Sequence, residues 1–258
     1  MRPQSPVQID IKGKRIGGPR PLICLPLLAD TQASLLEQAG DIPTLKPDLI
    51  EWRVDALDTL TDTRSVAQTL AALHAMSKAW PLLFTCRIPA EGGMQALSAA
   101  MRVPLYQMAI TSGQVDMIDI ELSSGHDTIQ ALRSVCRPAG VKLILSYHDF
   151  ERTPDRDALL QKLQDAEQAG ADIAKVAVMP RDSQDVLTVL NVTHLARQQL
   201  KIPLIAISMG HEGVTHRLHQ QAGVAGLAAG ARDVEALFAA LRLGEEAAQH
   251  AVGLIHQR

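Results

Sequence analysis

Cysteine is scarce: Cys24, Cys86 and Cys136 form an odd count at irregular spacing in 258 residues. That excludes a disulfide framework and reads as reduced, cytoplasmic usage. The opening MRPQSPVQIDIKGKR has no apolar core of signal-peptide length, and no later run is long and apolar enough to span a bilayer, so no membrane association is expected. Positive charge is not in surplus either. With a formal net charge of -3, nothing drives binding to nucleic acid phosphates or to an anionic membrane surface. A small anionic ligand must then be met by local charges. A glycine-rich nucleotide fingerprint, a phosphate loop and a Ser-His-Asp motif are all missing. In GHEGVTHRLH, His211 and His216 stand five apart rather than the four that places two ligands on one helical face, so no metal site is expected.

What is present is a rhythm. In VQIDIKGKRIG the residues Val7, Ile9 and Ile11 alternate with polar ones and Gly13 offers a turn, which predicts a β-hairpin within residues 1–20. Eight short apolar runs follow at roughly thirty-residue spacing: PLICLPLL, DLIEWRVDAL, PLLFTCR, VDMIDIEL, KLILSYHDF, IAKVAVMP, PLIAISMG and VAGLAAG. Between them lie stretches of helical spacing, among them TRSVAQTLAALHAMSKA, DALLQKLQDAEQAG and SQDVLTVLNVTHLARQQ. Near-continuous apolar strands alternating with amphipathic helices suit a parallel sheet covered by helices, and eight units in this length favour a closed (β/α)8 barrel. No linker or low-complexity segment divides the chain. One domain over 1–258 is expected, with 231–258 as the closing helix and an extension.

A barrel of this kind assembles its active site at the C-terminal ends of its strands. Those ends carry Glu51, Arg53 and Asp55, then Arg87, then Asp119 and Glu121, then His148 and Asp149, then Lys175, with run seven leading through Ser208 and Met209 towards Arg217. Lys175 is the sharpest signal, because it interrupts the apolar DIAKVAVMP where a strand is buried on both faces. Desolvation and neighbouring cations, with Arg53, Arg87 and Arg217 as candidates, would make it an amine nucleophile able to form an imine with a ketone or aldehyde. An ion pair with an inward acid is the competing structural reading. His148, one strand earlier, is placed to move a proton in the same cavity. Cys86 reads as a small buried hydrophobe rather than a nucleophile.

The motifs EWRVD, TCRIPAEGG, SYHDFERTP, ADIAKVAVMP and ISMGHEGVTHR, taken in order, resemble type I 3-dehydroquinate dehydratase from the first run to Arg217. The resemblance implies a cofactor-free and usually dimeric (β/α)8 barrel that converts 3-dehydroquinate to 3-dehydroshikimate, in aromatic biosynthesis or quinate breakdown. It implies that Lys175 forms the imine with the C3 ketone, that His148 acts as general base and then acid, and that Glu91 supports His148. Glu51 and Arg53 correspond to a hydroxyl-binding pair, Arg87 to a further polar contact, Met209 to another substrate-binding position, and Arg217 to a clamp on the substrate carboxylate. One departure follows the last strand. The family's closing loop carries a Ser-Ala-Pro-Gly-Gln pattern, whereas here VAGLAAGARDVEALF runs on without that serine and glutamine, which makes Arg232 a candidate substitute and MGHEGVTH an alternative cover. Ile207 is a milder departure, at a position where the family often has methionine. A Schiff-base aldolase or a binding-only barrel would share Lys175, but neither predicts the HDF and EGG motifs.

Overall fold

The computed structural model describes residues 4–210 and the backbone of 224–226. The expectations placed on Arg217, Arg232, the closing loop, the metal-like His211 and His216 and the helix over 231–258 lie outside the described residues.

The chain opens with an antiparallel hairpin, β1 (Ile9–Ile11) and β2 (Lys14–Ile16). Its turn residues Lys12 and Gly13 have φ of 50° and 76°, the paired left-handed geometry of a two-residue turn whose twist matches its strands. An eight-stranded parallel sheet follows, in the order β10-β3-β4-β5-β6-β7-β8-β9. Its members are β3 (Leu22–Leu27), β4 (Leu49–Arg53), β5 (Leu82–Thr85), β6 (Met117–Glu121), β7 (Lys142–Asp149), β8 (Ile173–Val178), β9 (Leu204–Ser208) and β10 (Val224–Gly226). All eight fall within the eight apolar runs. The two ends of this order, β9 and β10, approach each other, so the sheet curls into a (β/α)8 barrel.

Helices connect successive strands: α1 (Gln32–Gly40) with the short α2 (Ile42–Leu45), then α3 (Thr63–Ser77), α4 (Ala99–Thr111), α5 (His126–Ala139), α6 (Arg156–Gln168) and α7 (Ser183–Gln199). Four of them begin where the sequence supplies an N-cap. Thr31, Asp62, Asp155 and Asp182 each accept a hydrogen bond from a backbone N–H of the first turn. Helix α5 ends on Gly140, whose φ of 73° suits a residue without Cβ.

Strand alternation then builds two cores. Outward-facing Trp52, Phe84, Ile118, Ile120, Leu143, Leu145, Ala174 and Val176 pack against Leu70, Leu105, Leu132, Leu163 and Val192 from the helices. Within this layer Trp52 and Tyr106 each meet Phe84 edge-on, with centroids 5.5 and 5.6 Å apart. Such pairs contribute about 1 kcal/mol beyond their burial. Inward-facing Leu22, Cys24, Leu49, Leu83, Met117, Ile144, Ile173 and Ile205 fill the lower barrel, and Ile9, Ile11 and Ile16 of the hairpin join them as a floor. Lys12 Nζ to Asp116 Oδ2 at 2.7 Å and Lys14 Nζ to Asp48 Oδ1 at 3.0 Å pin that floor in place. On β4 to β7 polar side chains take over at the strand ends, while Ala177, Ile207 and Met209 carry the apolar lining up β8 and β9.

Candidate active site

Lys175 and Ser146 are register partners on β8 and β7, and His148 follows two residues higher on β7, paired with Ala177. Two residues along a strand cover roughly 7 Å, so lysine and histidine occupy successive levels of the same inner face. Lys175 Nζ lies 2.7 Å from Asp119 Oδ2 on β6, two strands away across β7, and its side chain keeps 10% of its surface open. Thus the structural partner considered for Lys175 exists. Asp119, however, is shared: Arg87 Nη2 sits 2.9 Å from the same oxygen, and Ser146 Oγ donates to Oδ1 at 2.6 Å. Burial pushes this carboxyl up, but the charges of Arg87 and Lys175 more than reverse that and hold it far below the usual carboxylate range.

Arg87, expected as a contact at the substrate, is only 2% exposed. Its Nη1 donates to Glu121 Oε1 at 3.0 Å and to Ser146 Oγ at 2.7 Å. Burial opposes its charge, while Asp119 and Glu121 raise its pKa, so it stays a guanidinium. Behind it, Arg102 of α4 donates through Nη2 to Glu121 Oε2 and to the Cys86 carbonyl. Tyr106, one turn further along α4, accepts from the Cys86 N–H at 2.9 Å and donates to the Asp119 carbonyl at 2.7 Å. A single helix therefore braces the ends of β5 and β6. Cys86 is a packing residue: burial pushes its thiol up to about 12.

His148 has a separate support. Its Nδ1 lies 3.1 Å from Glu91 Oε2, and its backbone N–H donates to that same oxygen at 2.9 Å. Ser123 Oγ fixes the other oxygen, Oε1, at 2.7 Å. Oε2 is an acceptor, so Nδ1 carries the hydrogen and Nε2 is the basic nitrogen. Burial first, then the charges of Arg87 and Lys175, hold the imidazole well below its usual pKa and therefore neutral at pH 7. Burial pushes Glu91 above the ordinary glutamate range.

Glu91 reaches His148 because of the two glycines that follow it. Gly92 has φ of +87°, and a Cβ there would sit 2.3 Å from the Phe150 ring; a Cβ on Gly93 would sit 2.0 Å from the Arg87 carbonyl oxygen. Phe150, half exposed, stacks on His148 with the rings 19° from parallel. The EGG and HDF motifs are thus two halves of one contact.

Arg53 is fixed by Asp55, donating from Nε at 2.9 Å and from Nη2 at 2.8 Å, with a further bond from Nη2 to the Gly92 carbonyl. Asp55 also accepts from the N–H groups of Arg87 and Met94, so it ties β4 to the loop carrying Glu91. Glu51 accepts from Thr85 Oγ1 at 2.7 Å. Met209 is buried with the apolar interior at the end of β9. The structure thereby gathers Glu51, Arg53, Arg87, Glu91, His148, Lys175 and Met209 at one end of the barrel. Asp119 and Glu121 were legible as strand-end acids but carried no assigned role. Ser123, Ser146, Arg102 and Tyr106 gave no signal at all, since their value depends on which strand lies beside them. Among the described residues no group of three or more His, Cys, Asp or Glu is arranged to hold a metal ion. No described helix is long and apolar enough to cross a membrane.

Proteins of known kind resemble this chain over most of their length. The family described as type I 3-dehydroquinase matches residues 23–223. A 3-dehydroquinate dehydratase of Shouchella clausii is 43% identical over 200 residues, covering 77% of this chain and 78% of the relative. The crystal structure of 3-dehydroquinate dehydratase from Geobacillus kaustophilus superposes with a TM-score of 0.85 at 34% identity, over 93% of this chain and 98% of that one. The type I enzyme of Clostridium difficile, solved with covalent modified comenic acid, gives 0.85 at 28% identity, over 93% and 99%. A barrel whose strand ends present this lysine, histidine and glutamate, matched at such identity over most of both chains, belongs to the type I 3-dehydroquinase family.

Proposed function

We propose that this chain is a lyase that dehydrates 3-dehydroquinate to 3-dehydroshikimate through an imine at Lys175, with His148 as the proton carrier. The observation that supports it most is a lysine whose side chain keeps 10% of its surface open, near a neutral histidine whose Nδ1–H is committed to Glu91. The amine attacks the C3 ketone and water departs, leaving an iminium that withdraws electrons and acidifies the C2–H bond. His148 Nε2 takes that proton. The charge that develops on the imidazole is met by Glu91, which also keeps the ring oriented. The enamine then expels the C1 hydroxyl, which leaves as water with the proton His148 has just taken. Both transfers use one nitrogen, so loss is syn. Hydrolysis of the conjugated iminium frees Lys175 and the product.

In this reading Arg53 meets a substrate hydroxyl through Nη1, the end not committed to Asp55, and Glu51 meets another. Met209 forms wall. Arg217 clamps the carboxylate, where a planar guanidinium suits the geometry, with Arg232 in place of the missing lid residues. The chain acts as one domain with 231–258 as closing helix and extension, pairs as a homodimer, works in the cytoplasm and needs no cofactor. A Schiff-base aldolase reading keeps Lys175 but leaves the His148–Glu91 pair without a task.

The test is direct. Incubation with 3-dehydroquinate should give the ultraviolet absorbance of a conjugated enone, and His148→Ala should reduce its rate by about 10²–10⁴-fold. An enzyme that forms no such product, or a variant as fast as the parent, would remove the reading.

A further inference from the structure

The chain of ion pairs that ends on Asp119 balances without Lys175, and Glu51 and Glu91 stand outside it as further carboxylates. Arg87 and Arg102 are two guanidiniums set against two carboxylates, Asp119 and Glu121, in an unbroken chain of contacts. Asp55 neutralises Arg53 separately. The ammonium of Lys175 is a fifth charge attached at one end, on Asp119 Oδ2. The Lys175 side chain also keeps 10% of its surface open, whereas Asp119 is fully enclosed. A purely structural ion pair would close the ledger from both sides. Here one partner is over-supplied and the other partly open.

We infer that Asp119 is the resident counterion of the covalent intermediate, and that Arg87 and Ser146 are positioning residues that hold it at the Lys175 nitrogen. The inference rests on the imine chemistry proposed above. The atoms account for themselves: one ammonium and one ketone give one iminium and one water, R–NH₃⁺ plus O=C becoming R–NH⁺=C plus H₂O. A C–N double bond replaces the C–O double bond, and the positive charge stays on the same nitrogen. That nitrogen keeps one hydrogen, and the Asp119 oxygen that accepts from it now is in place to accept it then. No dipole has to turn when the intermediate forms, which is how a pre-built site avoids a reorganisation cost.

Arg87 has a second effect. A lone carboxylate against the iminium would favour that state over the enamine, in which the nitrogen is neutral, and so slow removal of the C2 proton. Sharing Asp119 with Arg87 dilutes that preference and leaves the carboxylate paired when the nitrogen loses its charge. The groups around this pair are Cys24 on β3, Glu51 and Arg53 on β4, Arg87 after β5, Glu121 on β6, and Ser146 and His148 on β7. None of these is bonded to Lys175 Nζ among the described contacts; Asp119 is.

Asp119→Asn tests the assignment, because it keeps the shape and removes the charge. With the full-length enzyme and 3-dehydroquinate, kcat and the rate of appearance of a borohydride-reducible adduct should fall about 100-fold, KM should stay within threefold, and Asp119→Glu should restore at least a tenth of the parent rate. Loss of a merely structural contact would instead lower folded yield or raise KM, with no rescue by the longer acid. Adduct formation at the parent rate in Asp119→Asn, or Glu no better than Asn, would overturn it. Should the Asn variant not fold, Ser146→Ala carries the test. Removing the bond to Oδ1 should slow adduct formation about fivefold, and an unchanged rate would overturn the assignment. If the parent enzyme itself gives no adduct, the imine chemistry fails rather than the role of Asp119.

Discussion

The lower and upper halves of the barrel interior are built by the same strands, yet they obey different rules. Below, Leu22, Leu83, Met117, Ile144, Ile173 and Ile205 close on one another and on the hairpin floor. Each asks only for volume and apolarity. Above, Arg53, Arg87, Glu91, Asp119, Glu121, His148 and Lys175 crowd the strand ends, and each depends on particular atoms of a neighbour. The lower half supplies stability that the upper half consumes, since burying charge costs more than its pairing returns unless the geometry is good. The strand ends are therefore affordable only on a rigid floor.

Substitutions can separate the two. The largest effect is expected at the top: Lys175→Ala should lower kcat by about 10⁴-fold or more while the protein stays folded, as checked by steady-state kinetics beside circular dichroism. Next comes the floor, where Ile144→Ala should cost about 3 kcal/mol in denaturant unfolding and leave kcat within about threefold at a temperature where the enzyme is folded. A large kcat loss there, or a large stability loss at Lys175, would blur the comparison.

His148 sharpens it further. His148 is held well below its usual pKa, chiefly by burial, so its folded value lies under the unfolded one near 6.5. As pH falls through 6.5 the unfolded chain gains a proton that the folded one refuses. Stability should then decline by about 1 kcal/mol per pH unit until the folded value is reached. NMR titration should show neutral imidazole resonances for His148, with hydrogen on Nδ1, unchanged from pH 8 through 6.5; protonation near 6.5 would contradict the environment described. The smallest effect is expected at the hairpin. Removing the partly exposed pair Lys12–Asp116 with Lys12→Ala should cost less than about 1 kcal/mol and no activity.

The same contrast explains what the sequence disclosed. Apolar runs report themselves locally, so all eight strands and the opening hairpin were legible, and the interruption of DIAKVAVMP singled out Lys175. The contact from Glu91 to His148 spans 57 positions, and it was anticipated only through the resemblance carried by the EGG and HDF motifs. Arg87 shows the limit most clearly. An arginine at a strand end reads as a substrate contact, and its commitment to Asp119, Glu121 and Ser146 emerges only when β5, β6 and β7 lie side by side. Helix α4 carries Pro104 within it, which masks its helical pattern, and Arg102 and Tyr106 were hidden with it.

The central claim is that Lys175 carries the covalent intermediate. The measurement that tests it most directly is borohydride reduction during turnover of 3-dehydroquinate, followed by peptide mass spectrometry. A reduced adduct confined to the peptide containing Lys175, and absent in Lys175→Ala, is the predicted result. Product formation with no adduct, or an adduct on another lysine, would contradict it.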